Sequence, residues 1–224
     1  MTLADFSFLP PGLQQFFTRR PVFSTFVPLL AVLKETKSNN VGMIEDNLLS
    51  ISYGQIIRKS IDTDSGLLPR SFETYQIVEQ DQIIFRFTDL QNDKRSLRSA
   101  LAHERGIITN AYVATEIISR DYHPEYLNLL FRAFDLSKVF YGLGGGVRQS
   151  ISYSDISRLP IPAISLDEQR KIVGDIEERL SILGQLSPAS KGINLQGSVI
   201  DKFVWLINEI RDAYIVEMLL GSEG

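Results

Sequence analysis

The chain has 224 residues, 44% of them hydrophobic and 22% charged, which suits one or two soluble domains with a core of ordinary size. It holds no cysteine, so disulfides and thiolate metal sites are excluded, in keeping with a cytoplasmic location. Lys and Arg number 23 against 27 Asp and Glu, and a net charge of −4 weighs against a simple nucleic-acid binder unless the basic residues share one face.

Pro10 and Pro11 predict irregular chain over residues 1–20, and Arg20-Pro21 a second break. Asp5 precedes any apolar run and no basic segment leads it, so a signal peptide is not expected. Residues 26–34 (FVPLLAVLK) are short and apolar and read as helix or strand. Residues 47–53 alternate as a strand does, Gly54 ends or bends it, and residues 55–59 continue as a second extended piece. Residues 61–70 form a polar turn region, residues 75–78 and 82–87 read as strands, and residues 89–99 as a charged loop. The β-branched stretch 106–114 predicts a buried strand pair. Residues 124–134 have the three-to-four spacing of an amphipathic helix, with Pro124 in its first turn.

Gly142, Gly144, Gly145 and Gly146 then lead to Val147-Arg148-Gln149 and a short apolar strand. Leu159-Pro160-Ile161-Pro162 reads as a stiff linker, and a charged helix opens at Asp167-Glu168-Gln169. The class predicted is α+β: a globular domain with a twisted sheet in residues 1–162, then long helices in residues 163–224. Val173, Ile176, Leu180 and Leu183 follow 3-4-3 spacing, and Val199, Phe203, Leu206 and Ile210 follow 4-3-4 spacing. Both are seams for helix pairing, each about two heptads long. Pro188 and Gly192 should break the helix between them, giving a helical hairpin or a kinked coiled-coil spacer. No apolar run reaches the roughly 18 residues of a membrane span.

Catalytic motifs do not emerge. The glycines after Tyr141 lack the lysine of a phosphate loop, and His103 and His123 have no HExxH context. No Asn/Asp-Pro-Pro-aromatic tetrapeptide, which flips and holds a base in amino-methyltransferases, occurs. The reading is therefore a recognition protein with no metal and no cofactor.

Three segments have recognition chemistry. Ser52, Tyr53, Gln55, Arg58 and Lys59 bring a hydroxyl, an aromatic, an amide and two bases into one stretch, with Gly54 allowing close backbone approach. Gln91, Asn92, Lys94, Arg95 and Arg98 fill a loop suited to phosphate and base contacts. Arg148 and Gln149 stand beside the glycine-rich segment. Each also has a plain reading: a solvated strand end, a hydrophilic loop, a tight turn with an internal salt bridge. Between Arg86 and Arg105 there are five basic residues (Arg86, Lys94, Arg95, Arg98, Arg105) against three acidic ones, a local excess compatible with a DNA face although composition alone does not point to one.

The order LSISYG (49–54), Tyr75-Gln-Ile-Val78, RFTDLQNDKRSLR (86–98), GIITNAY (106–112), Arg148-Gln149 and IPAISLDEQ (161–169) closely resembles specificity subunits of type I restriction–modification enzymes. The resemblance covers roughly residues 30–183, and residues 210–221 resemble the end of a spacer helix. It implies that residues 1–162 form a target-recognition domain that reads one half-site of double-stranded DNA through the major groove. The helices that follow would dock the methyltransferase subunit and pair with a second copy, giving a homodimer that reads inverted half-sites. A restriction subunit could join the complex. Adenine flipping and transfer would belong to the methyltransferase subunit. Lys59, Lys94, Arg95 and Arg98 are the phosphate contacts expected, and Ser52, Tyr53, Gln55, Gln91 and Asn92 the base contacts. The chain departs from the family in holding one recognition domain and one spacer, in Ala163 where a proline is commoner, and in the break at Pro188. A partner-binding or modulating subunit without DNA binding of its own is the alternative. Met1 and a spacer-like end near Gly221 make a module cut from a single-chain enzyme the less expected reading.

Overall fold

A computed structural model gives the fold and describes residues 9–18, 25–60, 71–88, 90, 97–143, 151–185 and 198–221. Its centre is a four-stranded antiparallel sheet ordered β2 (Leu33–Thr36), β9 (Val113–Ile117), β6 (Ile83–Phe85), β7 (Ser99–Leu101). Strand β6 is apolar at every position because both faces of the sheet are covered. Ile83 and Phe85 point into the larger core cluster, Ile84 into a second one, following the two-residue period of a strand.

The second face is covered by two small antiparallel pairs. One is the hairpin of β3 (Leu49–Ser52) and β4 (Gln55–Arg58); the other joins β5 (Gln76–Val78) to β8 (Gly106–Ile108). Leu49, Ile51, Val78 and Ile108 meet Ile84, Ala100 and Ala114 there. The strands expected near residues 49, 76, 83, 106 and 113 are all present, and β7 lies at the end of what reads as a loop in sequence.

The other face carries helices. α1 (Pro11–Thr18) starts at a residue whose type predicts a break, because proline is accommodated in a first turn whose N–H groups have no helical partner. Residues 26–34 split into β1 (Phe26–Pro28), a 3-10 turn and the start of β2. α2 (Pro124–Leu136) begins at Pro124 as its spacing predicts, and buries Tyr126, Leu127, Leu130, Phe131 and Phe134. Phe131 meets Phe85 edge to face at 5.1 Å, and each fully buried phenylalanine stabilises the fold by about 1.5–3 kcal/mol.

The chain after the glycines departs from expectation. Instead of a strand, residues 153–156 form α3 (Tyr153–Ile156), started by a capping box in which Ser152 N–H donates to Asp155 Oδ2 at 2.7 Å. The proline-rich stretch is not a free tether. It is strand β10 (Pro160–Pro162), buried and paired with β1. Prolines are tolerated because this two-stranded ribbon leaves their outer edges unladdered.

α4 (Leu166–Gln185) and α5 (Ser198–Leu220) pack on each other and on α2, the hairpin arrangement rather than a continuous rod. Arg132 of α2 donates to Asp212 of α5 at 3.0 Å, and Arg179 of α4 lies 4.7 Å over the Tyr214 ring of α5. The larger core cluster runs from Leu9 through α2 to Ile176, Ile215 and Leu219, so it crosses the division at residue 162. No helix among the described residues is long and apolar enough to cross a membrane.

Candidate nucleic-acid interface

The β3–β4 hairpin positions the first recognition segment. Ser52 and Gln55 are its last pair, so Tyr53 and Gly54 alone form the turn. Their φ angles are 49° and 73°, both left-handed, as a type I′ turn demands. Glycine takes that conformation freely and tyrosine takes it at a cost, which draws attention to Tyr53. The residue is 85% exposed. Gln55 is exposed and Ser52 half-buried beside it.

Arg58 and Lys59 stand at the other end of the hairpin. Arg58 pairs with Leu49 in the register, three residues and about 10 Å from the turn. Its Nε donates to Glu104 Oε1 at 2.8 Å, and this guanidinium holds the Glu104 carboxyl below the usual range. Lys59 is exposed. Arg105 is likewise committed, to Glu45 at 3.0 Å and to Glu79. Backbone N–H groups of Asn47 and Asp46, together with Arg105, hold Glu45 below the usual range.

Arg98 overturns an expectation. The sequence suggests a phosphate contact there, but the residue is 0% exposed and reaches inward. Its Nη1 donates to Thr88 O at 2.7 Å, and its own backbone N–H donates to Asp135 Oδ2. Ser99 N–H donates to the same oxygen at 3.1 Å. Burial pushes the Asp135 carboxyl up to about 7 even though these donors and the Arg98 charge pull it down. The basic run from Arg86 to Arg105 is therefore not a single cationic face: Arg98 is internal and Arg105 is ion-paired. Asp135 escaped the sequence reading. The signal for it was its place on the apolar stripe of α2, eight residues after Leu127 and four after Phe131, where a charge must find partners.

The structure brings the turn to the second segment. A Cβ added at Gly54 would lie 2.7 Å from Leu97 Cδ1 and 3.1 Å from Leu97 Cβ. Gln91, Asn92, Lys94, Arg95, Arg148 and Gln149 lie outside the described residues. On the helices, Val173 and Ile176 are buried inside the chain, and Leu180 and Leu183 are half-buried. Val173 and Ile176 are thus not available to a second copy, because α4 lays that face on the core cluster that α2 shares. Leu206 and Ile210 are exposed, while the side chains of Val199 and Phe203 lie outside the description. α5 buries Ile215, Leu219 and Leu220 instead.

No family model and no curated protein matches the sequence. Solved structures do. The HsdS subunit from Thermoanaerobacter tengcongensis superposes at a TM-score of 0.53 over 72% of this chain and 43% of that one, with 14% identity. The fold is that of a type I S subunit. A chain from a structure on complex assembly and conformational transition of the type I R-M system matches at 0.49, with 14% identity over 94% of this chain and 52% of that one. The type I restriction–modification S subunit from M. genitalium matches at 0.45, with 14% identity over 82% and 46%. The fold assignment rests on the first of the three. This chain spans less than half the length of that S subunit.

Proposed function

We propose that this chain reads one half-site of double-stranded DNA for a type I restriction–modification system and does no chemistry itself. The observation that carries the proposal is the S-subunit fold over 72% of the chain. In this chain the segments that resemble the family include the first strand and turn of the β3–β4 hairpin, the two ends of the β6–β7 connection and strand β8, which supports the reading. Tyr53 and Gln55 at the hairpin tip are the base contacts assigned among the described residues, with Ser52 behind them, and Lys59 is the phosphate contact. Gln91, Asn92, Lys94, Arg95, Arg148 and Gln149 keep the roles that the resemblance implies. The methyltransferase subunit docks on the α4–α5 helices and supplies the adenine chemistry. A second copy pairs through the outer face of α5, where Trp205, Leu206 and Ile210 are exposed. A two-fold pair then reads inverted half-sites across an unread gap.

The test is adenine-methylation mapping in cells that express the chain with its methyltransferase subunit. A bipartite, palindromic methylated motif is expected, and it should vanish when Leu206 and Ile210 are replaced by aspartate. Removing the helices outright is the poorer comparison, because Ile176, Ile215 and Leu219 belong to the core.

A second reading has its own support. Arg58, Arg98 and Arg105 are all engaged within the chain, which lowers the basic excess that the described residues offer to phosphates. In that reading the chain modulates an intact subunit without reading DNA. Assembly with the methyltransferase subunit but no new motif would establish it.

A further inference from the structure

Asp135 and Arg98 are both buried, and the role given to them below rests on the DNA-reading proposal. A buried carboxylate and a buried guanidinium are costly to desolvate, and apolar residues of similar volume stabilise a core as well or better. Such groups are therefore worth reading for the geometry they fix. Asp135 sits on α2 with 2% of its surface exposed, and one of its oxygens receives the backbone N–H groups of both Arg98 and Ser99. This ties the first residues of β7 to the helix layer. The carbonyl of Arg98 accepts Arg86 N–H at 2.7 Å, which ties the same residue to the chain leaving β6. The Arg98 side chain then folds back to Thr88 O. One residue thus bridges Thr88 and the neighbour of Leu97, at the two ends of the second recognition segment.

Leu97 transmits this geometry to the first segment. Its side chain lies directly beneath Gly54, within the space a Cβ would occupy. Tyr53 precedes Gly54 in the two-residue turn and points to solvent. A continuous series of contacts therefore runs from Asp135 in the core through Arg98 and Leu97 to the exposed tyrosine.

We propose that Asp135 and Arg98 are positioning residues, a buried clasp that sets the Tyr53–Gly54 turn against Leu97 so that the turn meets a base edge in one geometry. Arg98 affects DNA reading without touching DNA. Its role therefore differs from that of a phosphate contact in a measurable way. A lost phosphate contact lowers the slope of log affinity against log salt by about 0.9, whatever the sequence. A loosened clasp leaves the slope alone and erodes preference between sequences.

The experiment uses the full chain with its methyltransferase subunit and duplexes carrying the methylated motif or single mismatches of it. Arg98→Met keeps the aliphatic volume and removes the bond to Thr88. Asp135→Asn keeps an oxygen for the two N–H donors. Leu97→Ala leaves the polar pair intact and removes only the support under Gly54, so it serves where Arg98→Met fails to fold. Arg98→Met and Leu97→Ala should each lower the ratio of matched to mismatched binding by about tenfold, comparable to the loss of one base-reading pair, with the salt slope unchanged. Amide exchange at Ser52 and Gln55, the hairpin's last pair, should quicken by about tenfold while Ile84 and Ala114 exchange as before. Asp135→Asn should stay near the parent in both readouts. A salt slope reduced by about 0.9 in Arg98→Met with the ratio intact overturns the proposal and returns Arg98 to the phosphates. Unchanged exchange at Ser52 and Gln55 in Leu97→Ala overturns it as well. If the parent complex shows no sequence preference, the DNA-reading proposal fails, and the exchange measurement still decides whether the clasp holds the turn.

Discussion

Gly54 and Leu97 approach so closely that any side chain at Gly54 would overlap Leu97, at 2.7 Å from its Cδ1. They come from segments far apart in the chain, and their contact joins the hairpin turn to the start of β7. Gly54 also carries a φ of 73°. Gly54→Ala therefore meets both steric overlap and left-handed strain, at a cost of about 1–3 kcal/mol. For a chain of this size that lowers the melting temperature by roughly 2–10 °C. A thermal melt within one degree of the parent would show that the turn is not built this way.

Asp135 gives the chain a pH dependence of defined sign. Its carboxyl rises from an ordinary 3.8 to about 7 in the fold, chiefly because burial disfavours the charged form. The folded state thus holds a proton that the unfolded chain has released between those two values. The stabilising contribution is fully present below about pH 4, declines as pH rises to about 7, and is flat above it, a change on the order of 4 kcal/mol. Urea titrations at pH 5.5 and pH 8 should find the parent more stable at the lower pH. The difference should shrink in Asp135→Asn.

Lys59 and Tyr53 should separate affinity from preference. Lys59→Ala should lower the salt slope of DNA binding by about 0.9 and weaken all sequences alike. Tyr53→Ala should leave the slope and cost about 1–3 kcal/mol at one base pair. Binding titrations between 50 and 200 mM salt with matched and mismatched duplexes measure both. Interchanged results would reverse the two assignments.

Ile176 and Ile210 occupy the two expected helix seams, yet the first is fully buried and the second is exposed. Ile176→Ala should cost about 2–5 kcal/mol of stability through lost contacts and a cavity. Ile210→Asp should leave the melt of the single chain nearly unchanged and lower the sedimentation coefficient if copies pair through α5. A destabilisation of several kcal/mol by Ile210→Asp would instead place that side chain inside the fold.

Much of the secondary structure could be read locally. The alternation of residues 47–53, the apolar run around Ile83 and the stripe of α2 are short-range patterns, and each became the element its period requires. Proline was harder to read. Pro11 opens a helix, and Pro160 and Pro162 lie in a buried strand, because a missing N–H matters only where a partner would have used it. The candidate site was legible as a set of residue types. Which of its basic residues are engaged within the chain was not, since Arg58, Arg98 and Arg105 find their carboxylate and carbonyl partners at sequence separations that no local pattern reports.

The sequence by itself determined the α+β class, the two extended pieces on either side of Gly54, and the helices after Asp167, all products of near-neighbour sterics and hydrophobic period. Only the tertiary structure decided that Arg98 turns inward to Thr88, that Asp135 anchors β7 from the helix layer, and that the helices fold back on α2 through Ile176 and Ile215. Those outcomes depend on which groups lose water together, and burial is a property of the packed chain and not of any segment within it.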